Sequence, residues 1–334
     1  MKAIFLNQTP SKITEEVYPK RVIDELRAIA NIDTTVYSRE DVVSSEHKFD
    51  DVEYVFTTWD FGPMTEEQIQ KHLPSLKAVF YAAGTVQYFA KPFLNCGIKV
   101  FSAWAANAVP VAEYTVAQII LAGKDFYCQS RLLKEKQWDN TYKRLGEHIG
   151  NYRKKIGLIG CGMIGSMVAE MLKDYSFEVL AYDPFMSEEK TKKLGVITCS
   201  LEELFATCSV VSNHLANNDA TQKILRYEHF SSMPLYSTFI NTGRGAQVVE
   251  EDLVRALTER PDLTALLDVT DPEPSPLDHD FYSLPNCFLT PHIAGSLGGE
   301  VVRMAEYMAD EYEKYAKGQP CLYEVTVKML ETMA

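Results

Sequence analysis

IGLIGCGMIG, residues Ile156–Gly165, is the stretch on which the fold turns. Its first half, Ile156 to Ile159, is a short apolar run of strand type. Gly160, Gly162 and Gly165 then spell G-x-G-x-x-G where a helix pattern opens, with apolar residues at Ile164, Met167, Val168, Met171 and Leu172. Glycine serves three purposes in such a loop: the tight turn, the close approach of backbone to a pyrophosphate, and the packing of helix on strand. Asp183 ends the next apolar strand, Val179 to Tyr182, and lies 18 residues after Gly165. A carboxylate there accepts hydrogen bonds from adenosine ribose hydroxyls and repels a 2′-phosphate, so the pattern predicts a dinucleotide site for NAD rather than NADP.

The alternation of strand and helix continues outward in both directions. Downstream follow strand EVLAYD, a helix near Leu201, strands SVVSNH and TFINT, a helix from Glu250 and strand ALLDV. Upstream, strand patterns at Lys2–Leu6, Asp33–Tyr37, Glu53–Thr57, Ala78–Tyr81 and Lys99–Phe101 alternate with helical or polar stretches. Two α/β arrays with parallel sheets are expected. Between them NAVPVAEYTVAQIILAG, ending at Gly123, is apolar on nearly every face, as a buried interdomain helix would be. The segment from Glu300 to Lys317 places Val301, Met304, Ala305, Met308, Tyr312 and Tyr315 on one helical stripe and stops before Gly318.

With 334 residues, 46% hydrophobic and 24% charged, the chain has the composition of an ordinary folded protein of about two domains. Its net charge of −13 disfavours nucleic acid and anionic membranes as partners. Seven scattered cysteines, without C-x-x-C or zinc spacing, suggest a reducing compartment and no structural metal. The longest apolar stretch is interrupted by Glu113 and Gln118, so no membrane span and a cytoplasmic location are expected. His47, His72, His148, His229 and His279 lie in polar contexts and are expected at the surface.

Three segments after the glycine loop carry reactive side chains: FINTGRG with Arg244, LLDVTDPEP with Asp268 and Glu273, and LTPHIAG with His292. Each lies at or just past a strand end, where loops of an open α/β sheet converge on a ligand. The guanidinium of Arg244 suits the carboxylate and carbonyl of a 2-keto acid. His292 can supply a proton to the alkoxide that hydride addition creates, and Glu273 can orient that imidazole and favour its protonated form.

IGLIGCGMIG, AYDPF, SVVSNH, INTGRG, LLDV with Glu273, and TPHIAG, in this order, resemble the D-isomer-specific 2-hydroxyacid dehydrogenases, a family that includes glycerate, phosphoglycerate and D-lactate dehydrogenases. The resemblance implies Arg244, Glu273 and His292 as the catalytic set. It further implies Asp268 near the nicotinamide carboxamide, the backbone N–H groups of Met163 and Ile164 turned to the pyrophosphate, and Thr242, Gly243, His214, Ala216 and Thr221 around the cofactor. The backbone of Ala83 and Gly84 in FYAAGTV, with Arg244, would bind the substrate. The implied fold is two Rossmann-like domains with a cleft between them. Residues 1–104 and 294–334 would form a flavodoxin-like substrate domain, and residues 105–293 a doubly wound NAD-binding domain. A homodimer and a small D-2-hydroxy or 2-keto acid of the glycerate or hydroxypyruvate type are the implied partners. An NAD(H)-sensing binding protein of the corepressor type is the alternative on this fold.

The sequence departs from the family pattern at two places. The family's H-x-P-x-T is replaced after His214 by Leu215, Ala216, Asn217 and Asn218, and the substrate loop continues Thr85, Val86, Gln87, Tyr88 without its usual acidic residue. Formate dehydrogenases that resemble this family carry glutamine where Glu273 stands.

Overall fold

A computed structural model describes residues 2–8, 12–145 and 150–331, which leaves His148 outside. The chain divides into two compact units, Met1–Ala108 with Ser296–Ala334, and Val109–Gly295. The divisions fall four and two residues beyond the expected boundaries. The first turn of helix Trp104–Gly123 clusters with the first unit, where Ala106 is buried and the Trp104 ring meets Tyr323 edge-on at 5.6 Å.

In the first unit the strands are β1 (Lys2–Asn7), β2 (Asn31–Ser38), β3 (Val52–Thr57), β4 (Ala78–Tyr81) and β5 (Lys99–Ser102). They pair in parallel in the order 2-1-3-4-5, the flavodoxin-like arrangement, and Glu324–Val325 adds an antiparallel edge beside β5. Nearly every residue of β1, β3 and β4 is buried, as strands covered on both faces require. The C-terminal helix Val302–Ala316 lies on this sheet, with the Tyr312 ring 5.1 Å from Tyr54 and 5.5 Å from both Phe56 and Phe80. One residue of that helix breaks the apolar stripe. Glu311 is fully buried, and its carboxylate accepts from the N–H groups of Leu322 and Tyr323 at 2.8 and 3.0 Å, so it fastens the following turn.

The second unit holds β6 (Lys155–Ile159), β7 (Glu178–Tyr182), β8 (Ile197–Thr198), β9 (Val210–Asn213), β10 (Thr238–Asn241), β11 (Thr264–Leu267) and β12 (Cys287–Leu289). All are parallel, in the order β8-β7-β6-β9-β10-β11-β12, so the winding reverses between β6 and β9. Ligands bind outside the carboxyl ends of the strands at such a switch point. One sheet face is covered by helix Met163–Leu172 and by Ala112, Val116, Ile119 and Ala122 of Trp104–Gly123. The latter helix is long and apolar enough to cross a membrane, with mean hydropathy 1.2, but 56% of it is buried in the protein. Helices Leu201–Thr207, Tyr227–Ser232 and Glu250–Glu259 cover the other face.

Three of the expected surface histidines are not fully exposed, among them His72, which is partly buried with Nδ1 3.3 Å from the Ser45 carbonyl oxygen. His229 is buried beside Phe205 and accepts the Arg226 N–H through Nδ1 at 3.1 Å. His279 is partly buried against Phe281.

Candidate active site

The glycine loop follows β6, and its three glycines divide the work as the spacing predicts. Gly160 has φ +82°, and a Cβ there would lie 2.9 Å from the His214 carbonyl oxygen. A Cβ on Gly165 would come within 2.1 Å of the Gly160 oxygen, so only glycine lets this helix approach its strand. A Cβ on Gly162 would meet nothing within 4 Å, which leaves open space in front of the helix start. The N–H groups of Met163 and Ile164 face no carbonyl partner among the described residues, as expected at a helix N-terminus. The loop therefore fits a dinucleotide pyrophosphate.

Asp183 sits at the end of β7 with its carboxylate on the same loop. It accepts the Cys161 N–H through Oδ2 and the Phe185 N–H through Oδ1, both at 2.9 Å. Lys190 reaches in from the next helix and donates to the Cys161 carbonyl at 2.5 Å. His214, after β9, lies behind the loop. Its Nε2 is 3.0 Å from Ser212 Oγ, its Nδ1 has no partner among the described residues, and burial pulls its imidazole down to about 4. It is a neutral wall of the crevice near neutral pH.

A polar network missed in the sequence joins the ends of β9 and β10. Asn213 donates to Asn241 Oδ1 at 3.0 Å and to Gln247 Oε1 at 2.6 Å, while Gln247 Nε2 donates to the carbonyls of Leu215 and Ala216. Gln247 thus fixes the atypical loop after His214. Thr221 Oγ1 donates to the Ala216 carbonyl at 2.6 Å, so its hydroxyl is committed to shaping that loop. Asn241 Oδ1 accepts the Gly243 N–H at 3.1 Å, and Thr242 Oγ1 stands 3.2 Å from Thr115 Oγ1 in the interior.

Arg244 follows at the end of this turn, with Nη1 donating to the Gly243 carbonyl at 2.8 Å. Its remaining guanidinium donors have no hydrogen-bond partner among the described residues. Burial lowers its pKa from the ordinary arginine value, and the charge of Glu273 opposes that shift. Gly245 lets the turn touch the neighbouring loop, since a Cβ there would lie 2.0 Å from the Thr270 carbonyl carbon.

His292 Nδ1 lies 2.7 Å from Glu273 Oε1, and the two side chains are 46% and 39% exposed. His292 has φ +52°, a left-handed conformation that costs a residue with a Cβ on the order of 1 kcal/mol. Asp268 holds it there. Its buried carboxylate accepts the N–H groups of Ile293 and Ala294 at 2.8 and 2.9 Å and the Thr290 hydroxyl at 2.6 Å. The residue expected beside a carboxamide thus also braces the turn that presents the imidazole.

In the first unit, the loop after β4 is fastened by Ser102 Oγ, which donates to the carbonyls of Ala83 and Gly84 at 2.8 and 2.7 Å. Ala82, Ala83 and Val86 are buried, whereas Gly84 is partly exposed. The N–H groups of Ala83 and Gly84 donate to no protein acceptor among the described residues.

A seven-stranded parallel sheet with this glycine loop at its switch point defines a dinucleotide-binding α/β protein. Residues 116–294 match the model of the D-isomer specific 2-hydroxyacid dehydrogenase, NAD binding domain, and the chain belongs to that family of NAD-dependent dehydrogenases. D-3-phosphoglycerate dehydrogenase of Archaeoglobus fulgidus is 30% identical over 235 residues, covering 70% of this chain and 44% of that protein. Glyoxylate reductase of Korarchaeum cryptofilum is 28% identical over 258 residues, 76% of this chain and 77% of that one. The chain spans about half the length of the D-3-phosphoglycerate dehydrogenases that it matches. Among solved structures, apo D-mandelate dehydrogenase of Rhodotorula graminis shares the fold, with a TM-score of 0.80 at 17% identity over 97% of each chain.

Proposed function

We propose that the protein interconverts a small 2-keto acid and its D-2-hydroxy acid, of the hydroxypyruvate and glycerate type, and runs toward reduction with NADH. The observation that carries this reading is the 2.7 Å contact of His292 Nδ1 with Glu273 Oε1, beside an arginine with unspent donors. NADH supplies the hydride when bound. Glu273 accepts the Nδ1–H, which leaves Nε2 to deliver a proton to the substrate oxygen as it gains negative charge. Arg244 remains a cation despite its burial, and its free N–H groups can hold the carboxylate and polarise the carbonyl. The unspent N–H groups of Ala83 and Gly84 have the chemistry of a carboxylate seat. Glu273, a carboxylate rather than a carboxamide, favours this reaction over formate oxidation.

The test is the loss of NADH absorbance with glyoxylate, hydroxypyruvate, phosphohydroxypyruvate, pyruvate, 2-ketobutyrate, oxaloacetate and phenylpyruvate offered separately. Turnover of one or more, with kcat/KM highest for hydroxypyruvate or a close relative, is expected. Silence across the panel in protein that binds NADH would overturn the reading.

Two copies of the chain are proposed to pair through the second unit. Its helices Phe126–Lys134 and Trp138–Leu145 leave Phe126, Trp138 and Tyr142 49%, 55% and 65% exposed, and the Trp138 and Tyr142 rings lie 6.3 Å apart, which offers aromatic area to a second copy.

A further inference from the structure

Glu273 stands in the loop Asp271–His279, DPEPSPLDH, in which three prolines supply no N–H and Leu277 is 95% exposed. Such a loop has few bonds of its own with which to hold a carboxylate still. Both of its ends converge on one buried side chain. Glu250, the first residue of helix Glu250–Glu259, accepts the Asp271 N–H through Oε1 at 2.9 Å, and its Oε2 lies 3.4 Å from His279 Nε2. The proton on His279 can be placed. Its Nδ1 accepts the Phe281 N–H at 3.2 Å, so in the neutral ring the hydrogen is on Nε2, the nitrogen that lies 3.4 Å from the Glu250 carboxylate. Phe281, itself buried, packs against the His279 ring with centroids 4.4 Å apart and planes tilted by 50°, which limits the rotation of the imidazole.

We propose that Glu250 is a positioning residue that closes the Asp271–His279 loop upon itself and thereby fixes Glu273 against His292. The inference rests on the catalytic reading of that pair. Glu250 belongs to the same short segment as Arg244, and Gly245 touches Thr270 just before the loop, so one segment holds the arginine and anchors the glutamate. The groups facing the Glu250 carboxylate are Asp271 and His279 from the loop, Glu251 from its own helix and Cys287 from β12. Burial, with the charges of Asp271 and Glu251, pushes Glu250 up to about 7, while the Asp271 N–H opposes that rise.

The test compares Glu250→Gln and His279→Phe with Glu273→Gln and His292→Ala in the full-length protein. The readouts are the pH profile of kcat/KM for keto-acid reduction, kcat and KM separately, NADH affinity by fluorescence, and circular dichroism. Glu250→Gln keeps the acceptor for the Asp271 N–H but opposes a second donor to His279. The expected result is wild-type folding and NADH affinity within twofold, a kcat lowered about tenfold, and a pH profile displaced in the same direction as that of Glu273→Gln. His279→Phe should move the same readouts the same way, which keeps the test decisive should Glu250→Gln fold poorly. Wild-type kcat and pH profile in both loop variants, with Glu273→Gln and His292→Ala impaired, would overturn the clamp and leave the catalytic reading standing. So would losses that merely track the folded fraction. Unimpaired His292→Ala and Glu273→Gln would instead overturn the catalytic reading beneath it.

Discussion

His292 is held in an unfavourable backbone conformation by the hydrogen bonds of Asp268, and its ring is aligned by Glu273. Strain retained at one exposed residue is most easily understood if that ring must point in one direction. Replacing it with alanine should lower kcat by about 10²- to 10⁴-fold, the usual contribution of a positioned acid–base group, with little change in NADH affinity. Steady-state rates together with fluorescence titration check this. At the other end of the cofactor loop, Asp183 and Lys190 bear on opposite ends of the Cys161 residue, one on its N–H and one on its carbonyl. The carboxylate repels a 2′-phosphate, whereas the ammonium would attract one. Asp183→Ser should therefore lower the NADH-to-NADPH ratio of kcat/KM at least tenfold. An unchanged ratio would show that discrimination lies elsewhere.

Among the elements, the β6 loop and its helix were the most legible in sequence, because each glycine answers a demand made by atoms close along the chain. The strands were legible for a related reason: burial on both faces leaves continuous apolar runs. Arg244, Glu273 and His292 stood out through their ordered motifs. The supports around them did not. Asn213 finds Gln247, and Glu250 finds Asp271 and His279, across folds of the chain that no periodicity records. The helices Phe126–Lys134 and Trp138–Leu145 escaped notice as well, since an exposed aromatic face blurs the polar–apolar pattern that marks a helix. The end of β9 makes a prediction of its own. His214 is driven down to about 4 by burial from 6.5, so between these values the unfolded chain binds a proton that the folded one does not. Its contribution to stability is present above pH 6.5 and is lost as pH falls toward 4, to an extent on the order of 3 kcal/mol. His214→Asn should flatten the acid side of the melting-temperature profile between pH 7 and 5, measured by calorimetry. A profile as steep as that of the native protein would contradict the assignment.

For the whole molecule, pairing through the second unit should give a sedimentation coefficient of a dimer at micromolar concentration. Phe126→Glu combined with Trp138→Glu should shift it to that of a monomer without unfolding the protein. A native chain that sediments as a monomer would remove the proposal. The order in which the chain is threaded has a different consequence. Residues 1–108 leave the ribosome before residues 109–295, yet the helix carrying Tyr312, which covers Phe56 and Phe80, is made after both. At ~5–20 residues per second, roughly ten to forty seconds of synthesis separate the two. Throughout that interval the emerging first sheet keeps early-made neighbours such as Tyr18, 6.3 Å from Phe56, but lacks the ring that later covers Phe56 and Phe80 together, while the 109–295 segment is being completed without interruption. The unit begun before the other is thus completed after it, and the wait of its aromatic face for Tyr312 is built into the connectivity of the chain.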